Sequence, residues 1–242
     1  MKQNTTLRNP FANLSRFEWG LFLVSLFVVT IPSLISGSAS LLTVLDSIIG
    51  VTALIFLAKG DVFGQLLVVL FSVLYGIISF QTHYYGEMIT YLGMTAPMAV
   101  ASTISWLKHP AEGDGHEVEI AHLNKKVWGQ VIVFTVVVTA IFYFILKALH
   151  TAQLPISTLS VATSFFAVYL TFLRSPFYAL GYAANDLVLI ALWILASIKN
   201  PSYLSTVLCF VMFLINDLYG FYSWQKRKKL QAKNRRGFPQ CH

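Results

Sequence analysis

Apolar residues in this chain gather into long runs broken by short polar or charged stretches, and run length predicts the elements. Eight runs are long enough to cross a hydrocarbon layer of about 30 Å as helices. They cover roughly residues 19–36, 40–58, 62–80, 88–107, 127–149, 154–173, 177–198 and 202–224, here segments one to eight. The first reads as a span rather than a cleaved leader, because its apolar region is too long and lacks an Ala-x-Ala-like site. The expectation is an all-α integral membrane protein with eight transmembrane helices.

One segment breaks the apolar rule at its centre. Segment seven, within YALGYAANDLVLIALW, carries Asn185 and Asp186 near mid-span, where a carboxylate costs several kcal/mol unless it faces a partner, a ligand or water. Tyr178, Tyr182, Asn185 and Trp193 follow at steps of four, three and eight, so on a 3.6-residue helix they share a stripe, with Leu189 filling the gap and Asp186 at its edge. Three rings around an amide, beside an acid, describe a pocket for a flat small molecule, a cation included. Segment eight repeats the chemistry in LINDLYGFYSW: Asn216, Tyr219, Gly220 and Ser223 share a face, with Asp217 alongside. An alternative is that both Asn-Asp pairs glue helices together, which needs no ligand.

The other polar positions within spans are open to two readings each. Asp46, a turn and a half from one end of segment two, either caps or pairs locally within reach of water or lies on a pathway. Gln65 in segment three needs a hydrogen-bond partner, from a neighbouring helix or a ligand, and Tyr75 lies further along the same segment. Segment four is rich in Gly, Ala and Ser around Pro97, which suits close packing or a flexible, cavity-lining helix. Segment one has almost no polar side chain and reads as peripheral and lipid-facing, preceded by a short amphipathic stretch, FANLSRFEW.

Composition agrees: 56% of the 242 residues are hydrophobic and 11% charged, against about a quarter charged in soluble domains. Charge then orients the chain. With eight spans, 15 of the 17 Lys and Arg residues fall on the side that holds both termini, leaving Lys147 and Lys199 on the other; both termini are therefore expected in the cytoplasm of a bacterial cell. The basic tail QKRKKLQAKNRR reads as an orientation signal on anionic lipid, not as a nucleic-acid site. The two cysteines, Cys209 in a span and Cys241 in the tail, are expected as free thiols. His116, Glu117, Glu119 and His122 in the long loop match no zinc spacing, and the chain lacks a phosphate-binding Gly-x-x-x-x-Gly-Lys motif, a Gly-x-Ser-x-Gly and a His-Glu-x-x-His. No cofactor and no enzymatic activity are expected.

An internal match completes the layout. Segment four ends in Ser105-Trp106 and Lys108, segment eight in Ser223-Trp224 and Lys226; an offset of 118 residues also pairs Tyr85 with Tyr203 and Tyr75 with Trp193. Two interfacial tryptophan anchors would give the same letters. A repeat would lay segments two to four over six to eight, joined by segment five: a parallel three-plus-one-plus-three arrangement of the SWEET type, with its site between the halves. The chain divides accordingly into an N-terminal stretch with an extra helix (1–39), a first triplet (40–107), a loop and linker helix (108–150), a second triplet (151–225) and a basic tail (226–242).

That layout, the end NDLYGFYSWQKRK and the run ITYLGMTAPMAVASTISWLKHP resemble the PnuC family of vitamin and nucleoside transporters over roughly residues 40–230. The resemblance implies facilitated diffusion of nicotinamide riboside, trapping by phosphorylation, and a homotrimer. The family's signature in this helix is similar to Trp-x-x-Trp-x-x-Asn; here it reads Ala179, Tyr182 and Asn185. The carrier reading survives this departure, while the substrate opens to thiamine, riboflavin or deoxynucleosides, with Tyr178 beside the lost indole. For a pyridinium riboside, Tyr182 and Trp193 would stack on the ring, Asn185 and Asn216 bond the carboxamide or ribose, and Asp186 or Asp217 balance the charge; Tyr178, Tyr219, Gln65 and Tyr75 complete the expected lining.

Overall fold

A computed structural model describes residues 10–35, 41–81, 85–111, 114–151, 153–199, 201 and 204–237. Tyr203, Cys241 and the side chains of His116 and Lys199 lie outside what is described. A short 3-10 turn, Pro10–Asn13, precedes helix α1 (Arg16–Ile35), then α2 (Leu41–Ala58), α3 (Val62–Gln81), α4 (Tyr85–Thr90) and α5 (Ala96–Lys108). A small hairpin of β1 (Pro110–Ala111) and β2 (Asp114–Val118) leads to α6 (Lys125–Ala148), α7 (Leu154–Phe172), α8 (Tyr178–Lys199) and α9 (Leu204–Gly237). Among the described residues six helices are long and apolar enough to cross a membrane: α2, α3, α6, α7, α8 and α9. The chain is a multi-pass, helical membrane protein.

Local chemistry sets the element ends. Ser15 and Glu18 form a capping box, with Ser15 N–H donating to Glu18 Oε2 (2.6 Å) and Glu18 N–H to Ser15 Oγ (3.2 Å), so the amphipathic entry stretch becomes the first turn of α1. The Asp61 carboxylate accepts from Phe63 N–H (2.9 Å) at the start of α3. Segment four is not one regular helix. Pro97 has no N–H to donate four residues back, and the chain passes from α4 to α5 through a π turn, Tyr91–Thr95, where Ala96 N–H reaches Tyr91 O and the Thr95 hydroxyl donates to Thr90 O (3.3 Å).

The helices pack in a reciprocal pattern. α2 lies on α3 and α7 on α8; α3 lies on α5 and α8 on α9; α2 meets α9 and α5 meets α7. Close approach needs small residues: a Cβ on Gly181 of α8 would sit 2.9 Å from Ala167 Cα of α7. α1 packs on α2 and α9 and buries Phe22, Ser25 and Val29, so segment one is peripheral but has one face covered by the bundle.

Two turns at the basic end of the bundle are built alike. After α2, Gly60 N–H donates to Leu57 O, Asp61 N–H to Phe56 O and Gly64 N–H to Asp61 O; after α7, Arg174 N–H donates to Thr171 O, Ser175 N–H to Leu170 O and Tyr178 N–H to Ser175 O. Gly60 (φ +68°) and Arg174 (φ +57°) both take the left-handed conformation that reverses the chain. The long loop at 108–126 is folded across these turns. Val118 N–H donates to Gly60 O and Ala121 N–H to Arg174 O; Gln231 of α9 clamps Val118 O and Ile120 N–H; Glu117 pairs with Arg227 and Glu119 with Arg174. The expected tail is, as far as Gly237, a continuation of α9.

Candidate functional site

Beneath the hairpin the basic end is closed by two indoles. Trp106 of α5 and Trp224 of α9 are fully buried with ring centroids 5.4 Å apart. Each donates across the bundle: Trp106 Nε1 to Thr171 O of α7 (2.9 Å) and Trp224 Nε1 to Leu57 O of α2 (2.7 Å). Tyr178 joins them, its ring edge-on to Trp224 at 4.8 Å and its hydroxyl donating to the same Leu57 O (3.1 Å). This expected binding tyrosine is thus part of the plug. Ala179, where the resemblance has an indole, is wholly buried in the same cluster.

The far end carries a cavity of about 410 Å³, within the range of small-molecule pockets. Tyr85, Glu87 and Thr90 of α4, Ser157 and Ser160 of α7 and Trp193 of α8 are among its lining. Trp193 was expected; Glu87 was not, because starting segment four at residue 88 leaves its carboxylate in a loop, whereas the helix starts at Tyr85. Moving that boundary back one turn exposes an acid heading an apolar run, the signal that would have found it.

The polar residues of α8 lie between cavity and plug and do not share one stripe of contacts. Asn185 turns toward α7, where its Oδ1 accepts from Ser160 (3.2 Å), Thr163 (2.9 Å) and Ser164 (3.0 Å). Ser160 also lines the cavity, so the amide borders its floor. Asp186 faces Asp217 of α9, both are buried, and Asp186 Oδ2 has no hydrogen-bond partner. Tyr182 lies within electrostatic reach of both, and Tyr91 of the π turn within reach of Asp186 and Asp46. Asp46 is only 4% exposed and its Oδ1 has no partner, so the expectation of a water-reached interfacial acid gives way to a buried one. Tyr75 packs on Tyr91 with centroids 4.3 Å apart. Tyr91 escaped notice because an isolated tyrosine in a span carries no pattern; the π turn aims it.

Three expected residues point elsewhere. Asn216 Nδ2 donates to Ser25 Oγ of α1 (2.9 Å) and to Met212 O (2.8 Å), and the Tyr219 hydroxyl donates to Oε1 of Glu18 (2.9 Å), whose Oε2 is paired with Lys59 at 3.3 Å. The second Asn-Asp pair is therefore divided, its amide toward α1 and its acid toward α8. Gln65, one turn into α3, is 1% exposed with its Nε2 unpartnered. Cys209 is free.

Residues 40–226 match the sequence model of a family described as nicotinamide mononucleotide transporter. The chain belongs to this family. It is a transporter and not an enzyme. It is 29% identical over 227 residues to the nicotinamide riboside transporter PnuC of Neisseria mucosa, covering 92% of this chain and 86% of the relative. Identity to the nicotinamide riboside transporter PnuC of Haemophilus influenzae is 26% over 208 residues, covering 85% and 89%. A crystal structure of the vitamin B3 transporter PnuC superposes with a TM-score of 0.79 at 27% identity, covering 91% of this chain and 95% of that one.

Proposed function

We propose that this protein carries nicotinamide riboside across a bacterial inner membrane by facilitated diffusion with alternating access. The observation that carries the reading is the asymmetry of the bundle: a ligand-sized cavity with an acid and an indole in its wall at one end, and a buried tryptophan plug at the other. Trp193 and Glu87 suit the cationic pyridinium ring, and Asn185, held by three hydroxyls at the cavity floor, suits the carboxamide or ribose. Tyr182, Asp186 and Asp217 are the next station on the way to the plug.

The proposed frame has eight spans, with α1 and the rod from α4 to α5 completing the six apolar helices, and both termini in the cytoplasm. The parallel repeat is supported by the matched turns, which an offset of 114 residues superposes bond for bond, and by the exchanged indole bonds, since Trp106 and Trp224 differ by 118 while their acceptors Thr171 and Leu57 differ by 114. The difference of four residues is about one helical turn. Rocking of the triplets α2–α5 and α7–α9, with α6 as linker, would open one end as it closes the other. The apolar face of α6, with Ile132, Val136 and Phe144 exposed, offers a surface to lipid or to the neighbours of a homotrimer.

The test is uptake of labelled nicotinamide riboside into liposomes that contain only this protein and are preloaded with unlabelled compound, without ATP or an ion gradient. Label accumulating by exchange is expected. A second substrate reading rests on Ala179 and Tyr182 at the signature positions: if the riboside is not exchanged and thiamine, riboflavin or a deoxynucleoside is, the substrate assignment fails and the carrier assignment stands.

A further inference from the structure

Away from the cavity and the plug, a groove of about 460 Å³ opens on the side of the bundle where α6, α7 and α8 meet. Trp128 and Thr135 of α6, Thr163 and Phe166 of α7, Phe177 just before α8 and Ala184 within it are among its lining. Both hydroxyls are already engaged, Thr135 with Val131 O (2.7 Å) and Thr163 with Asn185 Oδ1 (2.9 Å), so the groove offers a ligand apolar surface. It is open sideways, toward the membrane: Phe177 and Leu180 in its lining are each 38% exposed. Trp128 to Thr135, like Phe177 to Ala184, is a step of seven residues, about 10 Å of helix. The groove therefore runs from the basic end about a third of the way across a hydrocarbon layer of about 30 Å. That depth belongs to the acyl chains of the leaflet on that side.

Cationic side chains gather at its basic mouth. Trp128 packs edge-on against Phe177 with ring centroids 5.5 Å apart, and Ala121 N–H donates to Arg174 O, so the entry to α6 and the turn before α8 form one corner. Lys125 lies one turn below Trp128 on the same face of α6, with Lys126 beside it. Both lysines are exposed, and among the described residues neither is in an ion pair. Arg174, three residues before Phe177, completes the corner, with the Glu119 carboxylate 3.9 Å away. An apolar groove that ends in a basic corner at the membrane surface matches a lipid with a negative headgroup. A second copy of this chain is the poorer match, because it would bring its own basic end to the same level of the membrane and set cation against cation.

We infer that this groove is a site for one anionic phospholipid of the leaflet at the basic end, with an acyl chain between Trp128 and Ala184 and the phosphate at Lys125, Lys126 and Arg174. The lipid ties the linker helix α6 to α7 and α8. Its chain covers Thr163, one of the three hydroxyls that hold the Asn185 amide. The site is independent of which substrate is carried.

The experiment is native mass spectrometry of the purified full-length protein in detergent, titrated with phosphatidylglycerol or with phosphatidylethanolamine of the same acyl chains. The expected result is retention of one phosphatidylglycerol per chain, about tenfold tighter than phosphatidylethanolamine. Lys125→Gln/Lys126→Gln should abolish that preference, whereas Lys229→Gln/Lys233→Gln, at exposed positions on the continuation of α9, should keep it. Ala184→Trp puts a ring into the groove and should weaken retention of both lipids. Equal retention of the two lipids by the wild type overturns the inference, as does a preference that survives Lys125→Gln/Lys126→Gln or disappears only in Lys229→Gln/Lys233→Gln. Wild-type retention in Ala184→Trp overturns it too, and a changed number of chains in that particle would assign the groove to a neighbouring copy.

Discussion

Asn185 is asymmetric in its use: three α7 hydroxyls converge on its carbonyl oxygen, which fixes the amide plane beside Ser160 of the cavity lining. Acceptance of those bonds and donation to a ligand can be separated by substitution. Asn185→Asp keeps the acceptor and replaces the amide N–H₂ by a buried acid, so it should lower the melting temperature in detergent and weaken binding of the neutral reduced riboside about tenfold, the worth of one good hydrogen bond. Asn185→Ala should weaken binding equally and also destabilise the protein, since hydrogen bonds between spans contribute about 0.6 kcal/mol each. Equal affinity in wild type and Asn185→Asp, measured by titration, would remove Asn185 from the binding site. Glu87 tests charge in the same way. Glu87→Gln should weaken binding of the cationic riboside by about 1 kcal/mol, roughly fivefold, and leave the neutral reduced riboside unaffected. The stretch around Asn185 was legible because polar residues at mid-span are costly and therefore few. Its partners were not, because Ser160, Thr163 and Ser164 look like ordinary span hydroxyls that can bond their own helix.

At the scale of elements, α1 is tied to the rest of the bundle by more than apolar contact. Glu18 accepts from the Tyr219 hydroxyl and pairs with Lys59, whose Nζ also donates to Asn13 O (2.8 Å), while Ser25 accepts from Asn216. Both charged side chains are at least nine-tenths buried. Removing one partner strands the other charge, so Lys59→Met should destabilise the protein by about 3 kcal/mol, and the double variant Lys59→Met/Glu18→Gln should recover most of it. Thermal unfolding of the three proteins in one detergent decides: a double variant no better than Lys59→Met alone would mean that the charge pair is not what holds α1. Periodicity placed Asn216 and Tyr219 on one face, as the structure has them, but not which helix that face meets; α1 was read as lipid-facing, so the shared face was given to a ligand. The capping box at Ser15 and Glu18 was readable from spacing. The π turn was not, although Pro97 marked its neighbourhood, because a proline predicts a freed carbonyl without saying how the chain absorbs it.

Over the whole molecule, hydropathy located the helices to within about a turn because membrane length filters so strongly, except that α9 continues as far as Gly237, where charge ends the apolar run but not the helix, and the duplicated Ser-Trp marked the plug although nothing local said that the two indoles meet. The plug matters for the direction in which the molecule is open. The indole N–H groups of α5 and α9 bond carbonyls of α7 and α2, so under the proposed rocking of two triplets, opening the basic end would break both bonds and opening the far end neither. Trp224→Phe keeps the ring and deletes one bond, removing about 1 kcal/mol from the state closed at the basic end, a shift of about fivefold in population. The shift can be read with single cysteines in a protein whose Cys209 and Cys241 are serine. Ser157→Cys, in the cavity wall, should react with a membrane-impermeant maleimide from the far side and be slowed by saturating riboside; Ser223→Cys, beside the plug and buried, should react slowly from either side. Adding Trp224→Phe should slow labelling at 157 and speed labelling at 223 from the basic side. Rates that rise at both positions would mean a loosened fold, and rates unchanged at both would mean that the indole bonds do not set the conformational balance.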